Sequence, residues 1–336
     1  MAFVTSDPGI VPENPLFCSI LANTLLSTVP GISGAGPSPE KTLLTPILDA
    51  ELIVHGSITS MPVKPNTPTG CPTPASITRA MMELTGLVPL FINAGLACQP
   101  TVPCLDVYGV PGDDPRFGDA VPRATDLFAC GESFGKFFSR MTDFLVLGEC
   151  VPGGTTTSLC VLRGLGYPAR VSSSYVNNPV SMKEQVWEIV AARMQEAGIS
   201  FPMDTVRIGG DPMIALAAGI ASGFSNRLVL AGGTQMLSVA ALLRAMGKPI
   251  PGIVTTCYVR DDPSANFGEI AEKVGIPVFY IDPDFGALGH SGLARYCIGE
   301  VKEGMGAGGA MFLAYLMGFS PDTIRKRILE FVHLYT

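Results

Sequence analysis

The sequence predicts an α/β protein: a mostly parallel sheet with helices on both faces, plus a smaller, partly helical unit from the terminal segments. Three observations predict it. From Asp126 onward, apolar runs of four to seven residues alternate with stretches of helical period. One pattern occurs twice, an apolar run, a Gly-Gly-Thr corner and a helix, at 146–155 and at 229–234. The chain has 336 residues, enough for a large α/β core and a smaller unit.

The elements follow in chain order. Phe17 to Ser27 is expected as a short apolar helix, broken by the glycine-rich stretch 31–39. Glu51 to Gly56 is expected as a strand. Met61 to Pro74 is rich in proline and threonine and is expected as a loop, because proline removes backbone donors. A loop of that length in a compact domain is a candidate functional element. Ser76 to Leu84 reads as a helix, Val88 to Asn93 as a strand, and Cys98 to Asp126 as irregular.

The regular part opens with a helix over Leu127 to Met141 and a strand over Phe144 to Gly148. A helix starts at Thr155, and Arg170 to Ser174 is a short strand or loop. Met182 to Ala197 is a helix with Val186, Ile189, Val190 and Met194 on one face. Asp211 and Pro212 form an N-cap and first-turn pair for a helix running to Ser222. Strands follow at Leu228 to Ala231, Ile253 to Val259 and Val278 to Ile281. Helices follow at Thr234 to Met246, Ala265 to Val274, His290 to Ile298 and Gly308 to Leu316. Ser320 caps a last amphipathic helix with Ile324, Ile328, Phe331 and Tyr335 inward. Residues 1–124 are expected to supply the smaller unit, 125–318 the α/β domain, and 319–336 a helix packing on the core.

Composition narrows the function classes. Hydrophobic residues make up 47% and charged residues 15%, which implies extensive burial and leaves room for an oligomer interface. The longest apolar runs, Ala310 to Phe319 and Ile214 to Ile220, fall short of the ~20 residues of a membrane span, so no membrane partner is expected. The N-terminus has no basic segment followed by a continuous apolar one, so no secretory signal is expected. A net charge of −7 and a pI near 5.0 argue against nucleic acid as a partner. Nine cysteines without a CxxC pair fit reduced thiols in the cytoplasm. Three unclustered histidines give no zinc site, and neither a metal nor a cofactor is expected.

The chemistry starts at Asp143 to Arg163. Gly153 and Gly154 free the backbone to take positive φ at the start of a helix. The first N–H groups of a helix lack partners, and its dipole is positive there, so the corner can hold an anion. Thr155, Thr156 and Thr157 can cap the helix or donate hydroxyls to a phosphate. The same residues also read as an ordinary βα turn. Gly304, Gly306 and Gly309 satisfy GxGxxG literally, but Arg295 to Lys302 is not an apolar strand, so no dinucleotide site is expected. What remains there is Glu303, a carboxylate on a glycine-rich loop. It reads as a dipole contact at a helix start or as a catalytic group.

Five motifs in order carry a resemblance: GECVPGGTTT (148–157), Lys183, IGGDP (208–212), LVLAGGTQM (228–236) and KEGMGAGGA (302–310). Over residues 125–316 the chain resembles the nicotinate-nucleotide–dimethylbenzimidazole phosphoribosyltransferases of cobalamin assembly, closest to their archaeal and cyanobacterial branch. The resemblance implies a Rossmann-like fold, a homodimer, and small-molecule substrates: nicotinate mononucleotide and an azole or other lower-ligand base. It implies transfer of the phosphoribosyl group to that base, with release of nicotinate. Glu303 matches the family's general base. Gly153, Gly154, Thr155 and Thr156 match the phosphate corner, with Lys183 adding charge. Glu149 matches a carboxylate near the ribose, Gly232 and Gly233 the crevice wall, and Gly304 and Gly306 belong with the phosphate- and ribose-binding residues. Ser291 is a weaker phosphate candidate.

There are departures. The bacterial GNTT asparagine is Gly154 here, LLDGF has become LVLAGGT, and the N-terminal LTKPPGSLG signature is absent. Residues 1–124 carry the base-side loops instead, which leaves the base open to adenine, hydroxylated or phenolic alternatives. A non-catalytic nucleotide- or cobamide-precursor-binding protein on the same scaffold is the alternative function. A phosphosugar or NAD-fragment enzyme is a third reading.

Overall fold

Strands Pro15–Ala22 (β1), Leu90–Gly95 (β2), Leu105–Asp106 (β3), Phe144–Cys150 (β4), Arg227–Ala231 (β5), Gly252–Thr256 (β6) and Val278–Ile281 (β7) form one sheet. Its order is β3-β2-β1-β4-β5-β6-β7, and every pair is parallel. The protein is described here by a computed structural model covering residues 2–6, 8–36 and 38–335. Met1, Asp7, Pro37 and Thr336, which fall within the expected segments 1–124, 31–39 and 319–336, lie outside the described residues.

The strand order reverses between β1 and β4. There Ile20 pairs with Glu149 and Leu21 with Cys150. Ligands of open α/β sheets bind beyond the carboxyl ends of the strands at such a reversal. The sheet thus places the end of β4 at the position where a crevice forms.

Both faces are covered, and the period of two along each strand divides its side chains between them. Cys18, Ile20, Leu145, Leu147, Leu230 and Ile253 share one core. It also contains residues of helices Ala124–Phe138 (α3), Gly154–Gly164 (α4), Pro212–Gly223 (α7), Thr234–Ala245 (α8) and Phe267–Val274 (α10). Phe17, Leu21, Phe144, Val146, Val229 and Val254 share the other. That face carries Thr45–His55 (α1), Pro74–Thr85 (α2), Ala307–Leu316 (α12) and Pro321–Val332 (α13). Helices from the two terminal segments therefore pack together on one side, α2 against α1, α12 and α13. The first 124 residues also give the main sheet three of its strands. Helices Val180–Ala197 (α5) and Met203–Gly209 (α6) flank α4. The short helices Cys257–Arg260 (α9) and Ser291–Ala294 (α11) follow β6 and β7.

The fold class is the expected one, and several elements differ from the expectation. Phe17 to Ser27 is not a helix: residues through Ala22 form the central strand β1, and only Leu25–Thr28 is a 3-10 turn. A strand buried on both faces is apolar at consecutive positions, so its sequence lacks a diagnostic period. Glu51 to Gly56 is not a strand but the end of α1, whose left-handed Gly56 stops the helix. The run from Ile253 leaves the sheet at Thr256 and coils into α9. On α5, Val186, Val190 and Met194 are buried, whereas Ile189 is exposed. Ser320 caps α13 as expected, but Tyr335 sits beyond its end, half-buried, with its hydroxyl on the Gly56 carbonyl.

Candidate active site at the carboxyl edge of the sheet

The first corner leaves β4 at Cys150 and turns at Gly153, whose φ is 80°. A Cβ there would lie 3.1 Å from the Ser27 Cα, so both the backbone angle and the close approach require glycine. Gly154 lies against α8: an added Cβ would fall 2.0 Å from the Gln235 carboxamide oxygen. The Gly154 N–H donates to the Val151 carbonyl at 2.9 Å and the Thr156 N–H to the Gly153 carbonyl at 2.9 Å. Both are therefore used inside the corner. Gly153 and Thr155 are its half-exposed members, while Gly154 and Thr156 are buried. The Thr157 hydroxyl lies 2.5 Å from Asp211 Oδ2 and 2.9 Å from the Gly154 carbonyl. Asp211 caps α7, accepting from the Ile214 N–H, and burial raises its carboxyl to about 6.

The second corner leaves β5 and starts α8 at Gly232 and Gly233. It lies between two carboxylates. A Cβ on Gly232 would be 3.3 Å from Glu149 Oε1, and one on Gly233 would be 4.0 Å from the Glu303 Cβ. The two corners also meet directly, with Ser238 Oγ of α8 3.2 Å from Ser158 Oγ of α4.

Glu149, at the end of β4, is buried at 3% exposure and pushed up to about 8. Burial is the main cause, and the charges of Glu303 and Asp211 add to it. Glu303 is raised to about 7 by burial, against backbone N–H groups that favour its charged form. Its Oε1 accepts from Gly308 N–H at 3.1 Å and Gly304 N–H at 3.3 Å. Oε2 of Glu303 and Oε2 of Glu149 are both buried and, among the described residues, accept no hydrogen bond. Such orphaned oxygens in a protein interior call for a ligand or water.

The loop carrying Glu303 is pressed onto the sheet by glycines. Gly306, at φ 67°, lies against Gly148: a Cβ added to Gly306 would be 3.2 Å from the Gly148 Cα. Gly309 packs on Ala231 and Val146. Gly306 and Gly309 are thus occupied in seating α12 on β4 and β5. Gly304 abuts Pro74 at the start of α2.

Lys183 on α5 is buried at 1% exposure, and its ammonium donates to the Ser172 carbonyl at 2.6 Å. Burial lowers it to about 7, with the Lys302 charge adding to the effect. The Ser172 hydroxyl lies 3.3 Å from that of Thr234, so Lys183 reaches the second corner through this segment. Ser291 stands apart. It is exposed at the start of α11, where its neighbour Gly292 packs on the Gly70 carbonyl of the 61–74 loop.

Sequence reasoning missed four polar residues of this region. Asp211 was read only as a cap, although Thr157 makes it a buried acid beneath the first corner. Asp49 accepts from the Thr73 hydroxyl at 3.0 Å and from the Cys150 thiol at 3.8 Å, and burial raises it to about 7. Its signal was an acid that shares the apolar stretch 46–54 only with Glu51, hidden because α1 was read in part as a strand. Lys302 and Asp262 form a buried ion pair at 3.4 Å that no local pattern announces.

No family model matches the chain. It is 41% identical to a UPF0284 protein of Methanosarcina mazei, covering 98% of this chain and 97% of that one. It is 42% identical to one of Methanothermobacter thermautotrophicus, over 96% and 93% of the two chains. A UPF0284 protein of Thermococcus gammatolerans is 44% identical, over 94% and 96%. Among solved structures, the chain is similar to nicotinate-nucleotide-dimethylbenzimidazole phosphoribosyltransferase from Thermus thermophilus, with TM-score 0.59 and 15% identity over 96% of this chain and 84% of that one. CobT from the same organism matches with TM-score 0.61 and 15% identity, over 95% and 84%. At that identity the match establishes the α/β fold. The close relatives, aligned over nearly the whole length, establish the kinship: the chain belongs to the UPF0284 protein family.

Proposed function

We propose that the protein transfers the phosphoribosyl group of nicotinate mononucleotide to a benzimidazole-type or other lower-ligand base, giving an α-ribazole phosphate and nicotinate. The observation that carries the reading is the pair of buried carboxyls flanking Gly232 and Gly233, each with an unpartnered oxygen. The fold shared with the two Thermus thermophilus chains supports the scaffold.

The chemistry follows from the two titrations. Burial raises both carboxyls toward neutral pH, and the charge of Glu303 raises Glu149 further, so an ionised Glu303 keeps Glu149 protonated. The pair can thus divide the roles of base and hydrogen-bond donor. The azole nitrogen attacks C1′ of the ribose. The bond from C1′ to the pyridinium nitrogen breaks, and its electron pair neutralises the departing ring. The azole N–H proton passes to Glu303 Oε2, a base poised near working pH. Protonated Glu149 donates a hydrogen bond to a ribose oxygen. The phosphate lies at the half-exposed side of the first corner, at Gly153 and Thr155; Lys183, joined to the second corner through Ser172, adds charge when protonated. Ser291 contributes to phosphate binding only if the 290–298 segment moves toward that corner. The same reading has the protein acting as a cytoplasmic homodimer.

The test is a panel of bases incubated with nicotinate mononucleotide and read by mass. The wild type is expected to give a base-dependent phosphoribosyl product, and Glu303→Gln to bind nicotinate mononucleotide without forming it. Binding with no product from any base would sink the transferase reading in favour of a binding protein. Nicotinate release without a base would point to hydrolysis.

A further inference from the structure

A second group of buried charge lies beside the two carboxylates. Lys183, Lys302 and Asp262 are exposed by 1%, 7% and 8%. The Lys302 ammonium donates to the Ser173 carbonyl at 2.7 Å and the Gly299 carbonyl at 2.8 Å, and pairs with Asp262 Oδ2 at 3.4 Å. Two of its three donors are thus engaged by backbone carbonyls, and Asp262 Oδ2 pairs with it by charge, without a hydrogen bond. Asp262 is itself fixed, its Oδ1 accepting from the Ser264 N–H at 2.9 Å and the Ser264 hydroxyl at 2.6 Å.

The main chain of the same residue is held as well. The Lys302 carbonyl accepts from the Thr256 hydroxyl, at the end of β6, at 2.6 Å. On the other side of Glu303 the chain passes through Gly304, Met305 and Gly306, all at positive φ. The following segment is held on β4, with the Met305 N–H donating to the Glu149 carbonyl at 3.0 Å and the Gly304 and Gly308 N–H groups on Glu303 Oε1. A second restraint lies ahead of Glu303, where Lys302 ties the strand end, the Gly299 turn and the Ser172–Ser173 segment to one point. That segment also receives Lys183 and reaches Thr234.

We infer that Lys302, anchored by Asp262, Ser173 and Gly299, is a positioning residue that sets the unpartnered oxygen of Glu303 in the crevice at the ends of β4 to β6. The inference rests on the reading of Glu303 as the general base. Lys302 touches no reacting atom and acts through the backbone it fixes. Its loss therefore moves the base rather than weakening substrate binding. A misplacement of about 1 Å lowers turnover about 100-fold.

The experiment uses the full chain carrying Lys302→Met together with Asp262→Asn. The single change would leave a buried carboxylate without its partner, and the double change removes it. The expected result is a melting temperature near wild type, an unchanged KM for nicotinate mononucleotide and a kcat about 100-fold lower. A folded double variant with wild-type kcat overturns the inference. Lys302→Arg keeps a charge beside Asp262 and reads the same split where the double variant melts early; wild-type kcat there overturns it too. If the wild type forms no product with any base, the function reading fails instead. The positioning role is then read from the Glu303 carboxyl by carbon-13 NMR, its resonance assigned by its loss in Glu303→Gln. In the double variant its midpoint is expected to fall from about 7 toward the ordinary carboxylate range, and an unmoved midpoint overturns the inference.

Discussion

At the first glycine corner, Gly153 sits at φ 80° with the Ser27 backbone where a side chain would be. At the second, Gly233 has a negative φ of −93°; an added Cβ would meet Met236 Cγ and Glu149 Oε1 at Gly232, and the Val259 methyls and then Glu303 Cβ at Gly233. The local sequence is nearly the same, but the reasons for the glycines differ. The first corner needs glycine to fold. The second needs it to leave room beside two acids. A repeated motif in an α/β sheet therefore need not repeat a function, because the strand it follows decides what it faces.

The largest test of this difference is chemical. Under the proposed reaction, Glu303→Gln lowers kcat by about 10²- to 10⁴-fold, the usual weight of a general base. The fold stays intact, because Gln keeps an acceptor for the Gly304 and Gly308 N–H groups. Steady-state kinetics with the base found in the panel checks it, and an active Glu303→Gln returns the second corner to scaffolding.

The next test is pH. Glu149 at about 8, Glu303 at about 7 and Asp211 at about 6 all lie above the ordinary carboxylate range when folded. Between pH 4 and 8 the unfolded chain releases these protons before the folded one does. Stability is therefore highest below the unfolded pKa values and is lost as pH rises through the folded ones. Denaturant titrations without ligand at pH 5, 6.5 and 8 should show a total loss on the order of several kcal/mol. Glu149→Gln should flatten the curve from the ordinary carboxylate range up to about 8, and Asp211→Asn only up to about 6. A stability that climbs between pH 5 and 8 would contradict the burial of these acids.

Two alanine substitutions compare the corners directly. Gly153→Ala should cost about 1–3 kcal/mol, because the left-handed angle and the Ser27 contact both oppose a side chain. Gly232→Ala should cost less, about 1–2 kcal/mol, because no left-handed angle opposes it, although the fully buried Met236 must shift its Cγ from 2.9 Å. Equilibrium unfolding of both variants decides it. The reverse order would show that the second corner is the more tightly built.

The elements that were legible in the sequence are those with a period or a cap. α13 shows Ile324, Ile328 and Phe331 on one side behind a Ser320 cap, and α7 opens with Asp211 and Pro212. β7 was bounded on sequence pattern alone. β1 was not legible, since Phe17 to Ala22 is buried on both faces and carries no alternation. α1 was misread because its apolar residues, buried nearly all round, mimic a strand. In the site, the glycine corners and Glu303 could be named from motifs. The roles of Asp49, Asp262 and Lys302 could not, because Thr73 meets Asp49, and Lys302 meets Asp262 and Ser173, only through packing.

The sequence by itself determined the alternation of strand and helix from Asp126 onward, the two Gly-Gly-Thr corners and the carboxylate on the glycine loop. These are local properties, written in hydrophobic period and in residues that permit or forbid particular backbone angles. Only the tertiary structure decided that β1 runs beside β4 and reverses the strand order, and that Glu149 comes beside Gly232 and Glu303 beside Gly233. It also turned the Gly154 N–H inward and left one oxygen of each acid without a partner. The physical reason is that burial and charge coupling belong to the assembled sheet. A carboxyl is pushed toward neutrality only by what surrounds it, and what surrounds Glu303 comes from strand ends and loops far apart in the chain.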